Sequence, residues 1–147
     1  MILAYPEQFI APMRLDLTKY GLEEARTPAD VDRLLGPGSG TVLMVTNSIC
    51  GCAAGRARPA VGVALRHHNV PDKAATVFAG GDDAAVARLR AILSDYPPSS
   101  PSMALFQDGQ PVWVLHRRDI EQRDASQIAK LMMAAFDQHC AKVAPRS

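Results

Sequence analysis

Residues 41–59, TVLMVTNSICGCAAGRARP, constrain the chain more than any other stretch. Thr41-Val42-Leu43-Met44-Val45 is nearly continuous in apolar and β-branched character, which fits a central strand covered on both faces. Thr46-Asn47-Ser48 is a polar turn. Two cysteines one residue apart, Cys50 and Cys52, then open an alanine-rich segment that reads as a helix. A helix N-terminus carries partial positive charge and unsatisfied N–H groups, so a thiol placed there is favoured as the thiolate, the species that attacks disulfides. Arg56 and Arg58 lie one to two turns further on and act in the same direction if they face the thiol. No acidic residue occurs between Leu43 and Pro71 to oppose them. The expectation is a lowered pKa and a nucleophilic role for Cys50.

A disulfide between residues i and i+2 closes a ring of ~11 atoms, against ~14 for a Cys-x-x-Cys pair, and strained bonds are the more reducible ones. Gly51 between the thiols lets the backbone turn. Such a pair should be a comparatively strong oxidant or an isomerase, with Cys52 as the resolving thiol. Two other readings stand beside this one. Buried cysteines also behave as small apolar residues. Two thiolates also make half of a tetrahedral zinc shell. No second close pair is present, however, and His67-His68 fall about four helical turns away. His116 and His139 have no motif spacing. No metal is expected.

Around this stretch, helices and strands alternate. Tyr5 to Tyr20 spaces Phe9, Ile10, Met13, Leu17 and Tyr20 as one helix face, with Pro12 as its start or a kink. Leu22–Arg26 is a possible short strand. Thr27-Pro28-Ala29-Asp30 has the form of a helix start. After the cysteine helix, which Pro59 should bend, come a strand over Ala75–Ala79 and a helix over Ala84–Leu93. Strands follow over Ser102–Gln107 and Pro111–His116, joined by the hairpin signal Asp108-Gly109. A final helix is expected from about Asp119 to Val143, with Cys140 on its apolar stripe. Cys140 reads as a core residue, or alternatively as an auxiliary thiol. His67-His68 and Arg117-Arg118 read as solvated surface, and Trp113 as a strand residue against the last helix. The pattern predicts an α/β three-layer sandwich of mixed sheet type, one domain over 1–147.

Composition narrows the function classes. The net charge of +1 across 147 residues gives no electrostatic case for nucleic acid or an anionic membrane. No apolar run reaches the ~20 residues of a membrane span. The start, MILAYPEQFIAPMRLDL, lacks the basic and continuous apolar regions of a secretory signal, so a cytoplasmic location is expected. Structural disulfides are rare there, which favours reactive cysteines.

The segment Val45-Thr46-Asn47-Ser48-Ile49-Cys50-Gly51-Cys52-Ala53-Ala54-Gly55, with Ala57-Arg58-Pro59-Ala60 after it, resembles the Cys-Gly-Cys motif of the bacilliredoxins. The resemblance extends through Pro12-Met13-Arg14, Arg26-Thr27-Pro28, Phe78-Ala79-Gly80, Tyr96-Pro97-Pro98-Ser99-Ser100-Pro101-Ser102 and His116-Arg117. It implies a thioredoxin-like α/β/α sandwich with an added N-terminal helix. It also implies a cytoplasmic oxidoreductase that reduces mixed disulfides between client proteins and bacillithiol, and that isomerises disulfides weakly. No bound cofactor is implied; bacillithiol is a co-substrate. Cys50 attacks and Cys52 resolves. Asn47, Ser48 and Gly51 shape the turn, while Ser100 and Pro101, the latter as a cis-proline, align the substrate. The alternative is a non-catalytic thioredoxin-like binding module whose cysteine pair is structural or holds a metal.

Overall fold

The structure, a computed structural model, describes residues 5–140. Its elements are α1 (Glu7–Thr18), β1 (Glu23–Glu24), α2 (Pro28–Leu34), β2 (Thr41–Asn47), a π-helical turn (Ala53–Ala57) running into α3 (Arg58–Ala64), β3 (Lys73–Phe78), α4 (Asp83–Ile92), β4 (Ser102–Gln107), β5 (Gln110–Leu115), α5 (Arg117–Glu121) and α6 (Ala125–His139). The sheet order is β1-β3-β2-β4-β5. β1, β3 and β2 run parallel, and β4 and β5 are antiparallel to their neighbours. The expected mixed α/β sandwich is therefore present.

Strand β2 is central, and all seven of its residues are buried. Its side chains alternate between the two faces of the sheet. Leu43 and Val45 join a core with Val61 of α3 and with Ile128 and Phe136 of α6. Val42 and Met44 join a second core with Val31 and Leu34 of α2 and with Val86 and Leu89 of α4. Leu17 of α1 and Cys140 belong to the first core, so Cys140 is a core residue. Trp113 packs half-buried against that same cluster. Gly62 permits α1 to close on α3: a Cβ there would lie 2.4 Å from the Tyr20 ring.

Local signals decide several boundaries. Thr27 and Asp30 form the capping box that starts α2. Asp108 (φ 49°) and Gly109 (φ 85°) both take left-handed backbone in the β4–β5 turn, which is the twist a two-residue hairpin needs.

Three expectations need correction. Phe9 is 50% exposed, and the buried face of α1 carries Arg14 with Ile10 and Leu17. Arg14 is admitted because Asp82 receives its guanidinium in two bonds, at 2.8 and 2.9 Å. The final helix is two helices. α5 stops at Gln122, and Asp124 caps α6 by accepting from the Gln127 N–H at 2.8 Å. The expected end at Val143 lies outside the described residues. The helix after the thiols does not simply bend at Pro59. It widens into a π turn just before the proline, where the Arg58 N–H bonds the Ala53 carbonyl five residues back. Proline has no N–H for the regular ladder, and the wider turn absorbs the break.

Candidate active site around Cys50

Strand β2 ends at Asn47 and helical backbone begins at Gly51, so Ser48-Ile49-Cys50 form the junction. Cys50 is the helix cap: its carbonyl accepts from Ala53 N at 3.1 Å and from Ala54 N at 3.2 Å. Its own N–H donates to Ser48 Oγ at 3.3 Å. The junction is held from behind by Asn47, which is 1% exposed. Asn47 Nδ2 donates to the Met13 carbonyl of α1 at 3.0 Å, and its Oδ1 accepts from Ser48 N at 2.9 Å and from Arg58 Nη1 at 3.0 Å. Arg58 Nη1 also donates to the Ser48 carbonyl at 3.1 Å. α1, β2, the turn and α3 are thus tied through one amide and one guanidinium.

Cys50 and Cys52 are both half-buried and unbridged. Burial raises the Cys50 pKa, but hydrogen bonds from the Ser48 hydroxyl and from the Ala53 and Cys52 N–H groups, with the Arg117 charge, outweigh it. The net direction is down. Cys52 goes the other way. Burial, the charge and hydrogen bond of Cys50, and the Glu121 carboxylate all push it up, with Arg117 in opposition. Glu121 Oε2 lies 4.0 Å from Cys52 Sγ and accepts from Arg117 Nε at 2.9 Å. Two thiols one residue apart are therefore shifted in opposite directions, Cys50 toward the thiolate and Cys52 toward the thiol.

The sequence-based candidates sort unevenly. Cys50, Ser48 and Ser100 line one open cleft of about 300 Å³, with Tyr5, Gly80 and Arg117 around them. The Ser100–Pro101 peptide bond is cis. Ser102 of β4 pairs with Thr46 of β2, which brings this bond to the sheet end that carries the thiol turn. Gly51 is exposed, with open space where a Cβ would sit. Arg58 is 5% exposed and lies under the turn, within reach of the Cys50 charge. Arg56 does not support the thiol as expected. It turns toward α5 and donates to the Glu121 carbonyl.

Arg117 and Glu121 were missed as site residues. Their i,i+4 spacing was readable as a helix pair, but nothing in the order of residues shows that α5 docks beside the thiols. Glu121 is also the acid that inspection of residues 43–71 could not find. Among the described residues, the one group of three metal-ligating side chains that converge is His67, His68 and Asp137, with ligand atoms within 4.8 Å of one another. His67 Nε2 and Asn69 Nδ2 both bond Asp137 Oδ1, at 2.8 and 2.7 Å, so His67 is not simply solvated, while His68 is exposed as expected. The group sits beyond the far end of the cysteine helix.

Residues 5–140 match the family model described as disulphide isomerase. A bacilliredoxin of Salinibacter ruber is 49% identical over 147 residues, covering 97% of this chain and 85% of that protein. The bacilliredoxin of Koribacter versatilis is 46% identical (95% and 97% covered), and that of Shouchella clausii 43% (97% and 100%). Among solved structures, thioredoxin of Malassezia sympodialis superposes with a TM-score of 0.55 at 16% identity, covering 82% of this chain and 92% of its own. Thioredoxin O2 of Arabidopsis thaliana superposes with a TM-score of 0.52 at 13% identity (82% and 98%). These last two establish the fold alone. The family model and the relatives go further, and on them the chain belongs to the bacilliredoxin family.

Proposed function

We propose that this protein is a thiol–disulfide oxidoreductase that releases client proteins from mixed disulfides with bacillithiol, in the cytoplasm, and that it also isomerises protein disulfides. The observation that carries the reading is the divergence of the two thiols. Cys50 is capped by a hydroxyl, two backbone N–H groups and a guanidinium charge, while Cys52 faces a carboxylate. The small thiol is proposed from the resemblance to the bacilliredoxins, the name the relatives carry, and the isomerase activity is in keeping with the family description.

In the first step the Cys50 thiolate attacks the bacillithiol sulfur. The S–S bond to the client breaks, the client leaves as a thiolate and takes a proton from water, and a Cys50–bacillithiol disulfide forms. Cys52 then loses its proton and attacks Cys50 Sγ, giving the Cys50–Cys52 disulfide and free bacillithiol. An external reductant returns the pair to thiols. A low nucleophile pKa raises the thiolate fraction at neutral pH, and a high resolving pKa lengthens the life of the mixed disulfide. That order of events suits both de-thiolation and isomerisation, in which a protein must stay attached long enough to rearrange.

The test is the mass of the protein after incubation with oxidised bacillithiol. The Cys52→Ser variant is expected to hold one bacillithiol adduct, and Cys50→Ser none. Adduct on neither variant sinks the substrate assignment and leaves disulfide isomerisation or metal binding as the role of the pair.

A further inference from the structure

Arg117 stands between the cleft in front of Cys50 and a neighbouring one. That residue lines the Cys50 cleft on one side and, on the other, a second open cleft of about 310 Å³ that includes His116, Arg118 and Glu121. Arg117 is fixed at the junction: its backbone N–H donates to Ser99 Oγ at 3.2 Å, Nη1 to the Ser100 carbonyl at 3.3 Å, and Nε to Glu121 Oε2 at 2.9 Å. Its Nη2 makes no hydrogen bond among the described residues. Arg118, exposed, makes neither ion pair nor hydrogen bond among them. The path from Cys50 across Arg117 to Arg118 thus carries two guanidinium groups and one carboxylate, and that carboxylate is already held by Arg117. One positive charge is in excess. Guanidinium groups with unused donors are the side chains best suited to a carboxylate.

We propose that this path is the subsite for the tail of the small thiol in the mixed disulfide, and that it selects tails bearing a carboxylate. The inference rests on the mixed-disulfide reading above and deepens it. With the small thiol's sulfur bonded to Cys50 Sγ, its tail runs along the wall formed by Ser100 and Arg117, and its carboxylate pairs with Arg117 Nη2 or with Arg118. Selection is then by charge, independent of the client protein.

The experiment uses the Cys52→Ser protein, in which an adduct on Cys50 cannot be resolved. It is mixed separately with three symmetric disulfides of similar size: dithiodipropionate (anionic), bis(2-hydroxyethyl) disulfide (neutral) and cystamine (cationic). The rate of adduct formation is read by mass. Each rate is divided by that of a free neutral thiol with the same disulfide, and then by the rate for the neutral disulfide within each variant. The second division removes any change in the nucleophilicity of Cys50 itself. The anionic disulfide is expected to lead the neutral one by about fivefold at low salt, the yield of an exposed ion pair, and the cationic one to trail. Added salt shrinks the spread. Arg117→Gln and Arg118→Gln each reduce the preference, and the double variant levels it. A charge-blind order in the parent, or a preference that survives the double variant, overturns the subsite. Failure of all three disulfides to label Cys50 overturns the mixed-disulfide reading itself, and the subsite with it.

Discussion

Two arginines in this protein are buried to the same degree and do opposite things. Arg14 and Arg58 are 6% and 5% exposed. Arg14 meets Asp82 in two bonds at 2.8 and 2.9 Å, Glu7 at 3.0 Å and Glu24 at 3.2 Å, and it lies over the Phe78 ring. Asp82 in turn accepts from the Phe78 N–H. Arg14 is held above the ordinary arginine range, chiefly by its bond to Asp82. Arg58 finds only neutral carbonyl oxygens at hydrogen-bond geometry. Its Nε lies 3.3 Å from the half-exposed Asp16 carboxylate but makes no hydrogen bond. Burial pulls it down. The first guanidinium is cancelled on the spot and acts as a clamp between α1 and the β3–α4 turn. The second has only a half-exposed carboxylate beside it, and the Cys50 charge lies within its reach. A buried charge left short of partners is costly, and here it stands where an anion must form.

Truncating the clamp should have the largest effect. Arg14→Ala leaves Asp82 buried without its partner and is expected to cost about 3–5 kcal/mol in chemical denaturation. The Cys50 alkylation profile of the folded fraction should not move. A loss under about 1 kcal/mol would remove the distinction between the two arginines.

Arg58→Met should be milder, about 1–3 kcal/mol, because it deletes a desolvated charge along with two hydrogen bonds. Its diagnostic effect is on chemistry: the pH midpoint of iodoacetamide labelling at Cys50 should rise. If the midpoint stays where it is, the field of Arg58 does not reach the sulfur and only its hydrogen bonds matter.

Linkage sharpens the same contrast. Cys50 has a depressed folded pKa, so its contribution to stability is fully present above the ordinary thiol pKa and is lost as pH falls through the lowered value. Reduced wild type should therefore gain stability over Cys50→Ser as pH rises from the lowered Cys50 pKa toward about 8.5, the ordinary thiol value. Cys52, shifted upward, acts above that window. A constant gap across the range means that the thiolate is not stabilised by the fold.

The smallest effect should come from Asp16→Ala. Asp16 is 44% exposed and its contact with Arg58 is not a hydrogen bond, so a loss below about 1 kcal/mol is expected. A larger loss would show Arg58 to be paired after all, and the asymmetry with Arg14 would vanish.

The readable parts of this protein are those in which neighbours in sequence decide the outcome. Thr27 and Asp30 satisfy each other within one turn of helix. Asp108-Gly109 adopts the backbone that a tight hairpin demands. The apolar run from Thr41 and the thiols after Ser48 place a sulfur at a helix start, because a strand that ends and a helix that begins leave N–H groups pointing at it. All of this is local chemistry, and the order of residues was enough to state it.

Other features depend on which surfaces meet. The spacing of apolar residues in α1 did not reveal that Arg14, not Phe9, faces inward, since Asp82 is 68 residues away. It did not bring Arg117 and Glu121 to the thiols either, where Arg117 favours the thiolate of both cysteines and Glu121 opposes it at Cys52. Electrostatic energy depends on distance through space and on exclusion of water, and neither is a property of position along a chain. The sequence by itself determined a thiol pair at the head of a helix on an α/β sheet. The tertiary structure alone decided that Glu121 and Arg117 stand beside them, because α5 is brought there by packing and not by position along the chain.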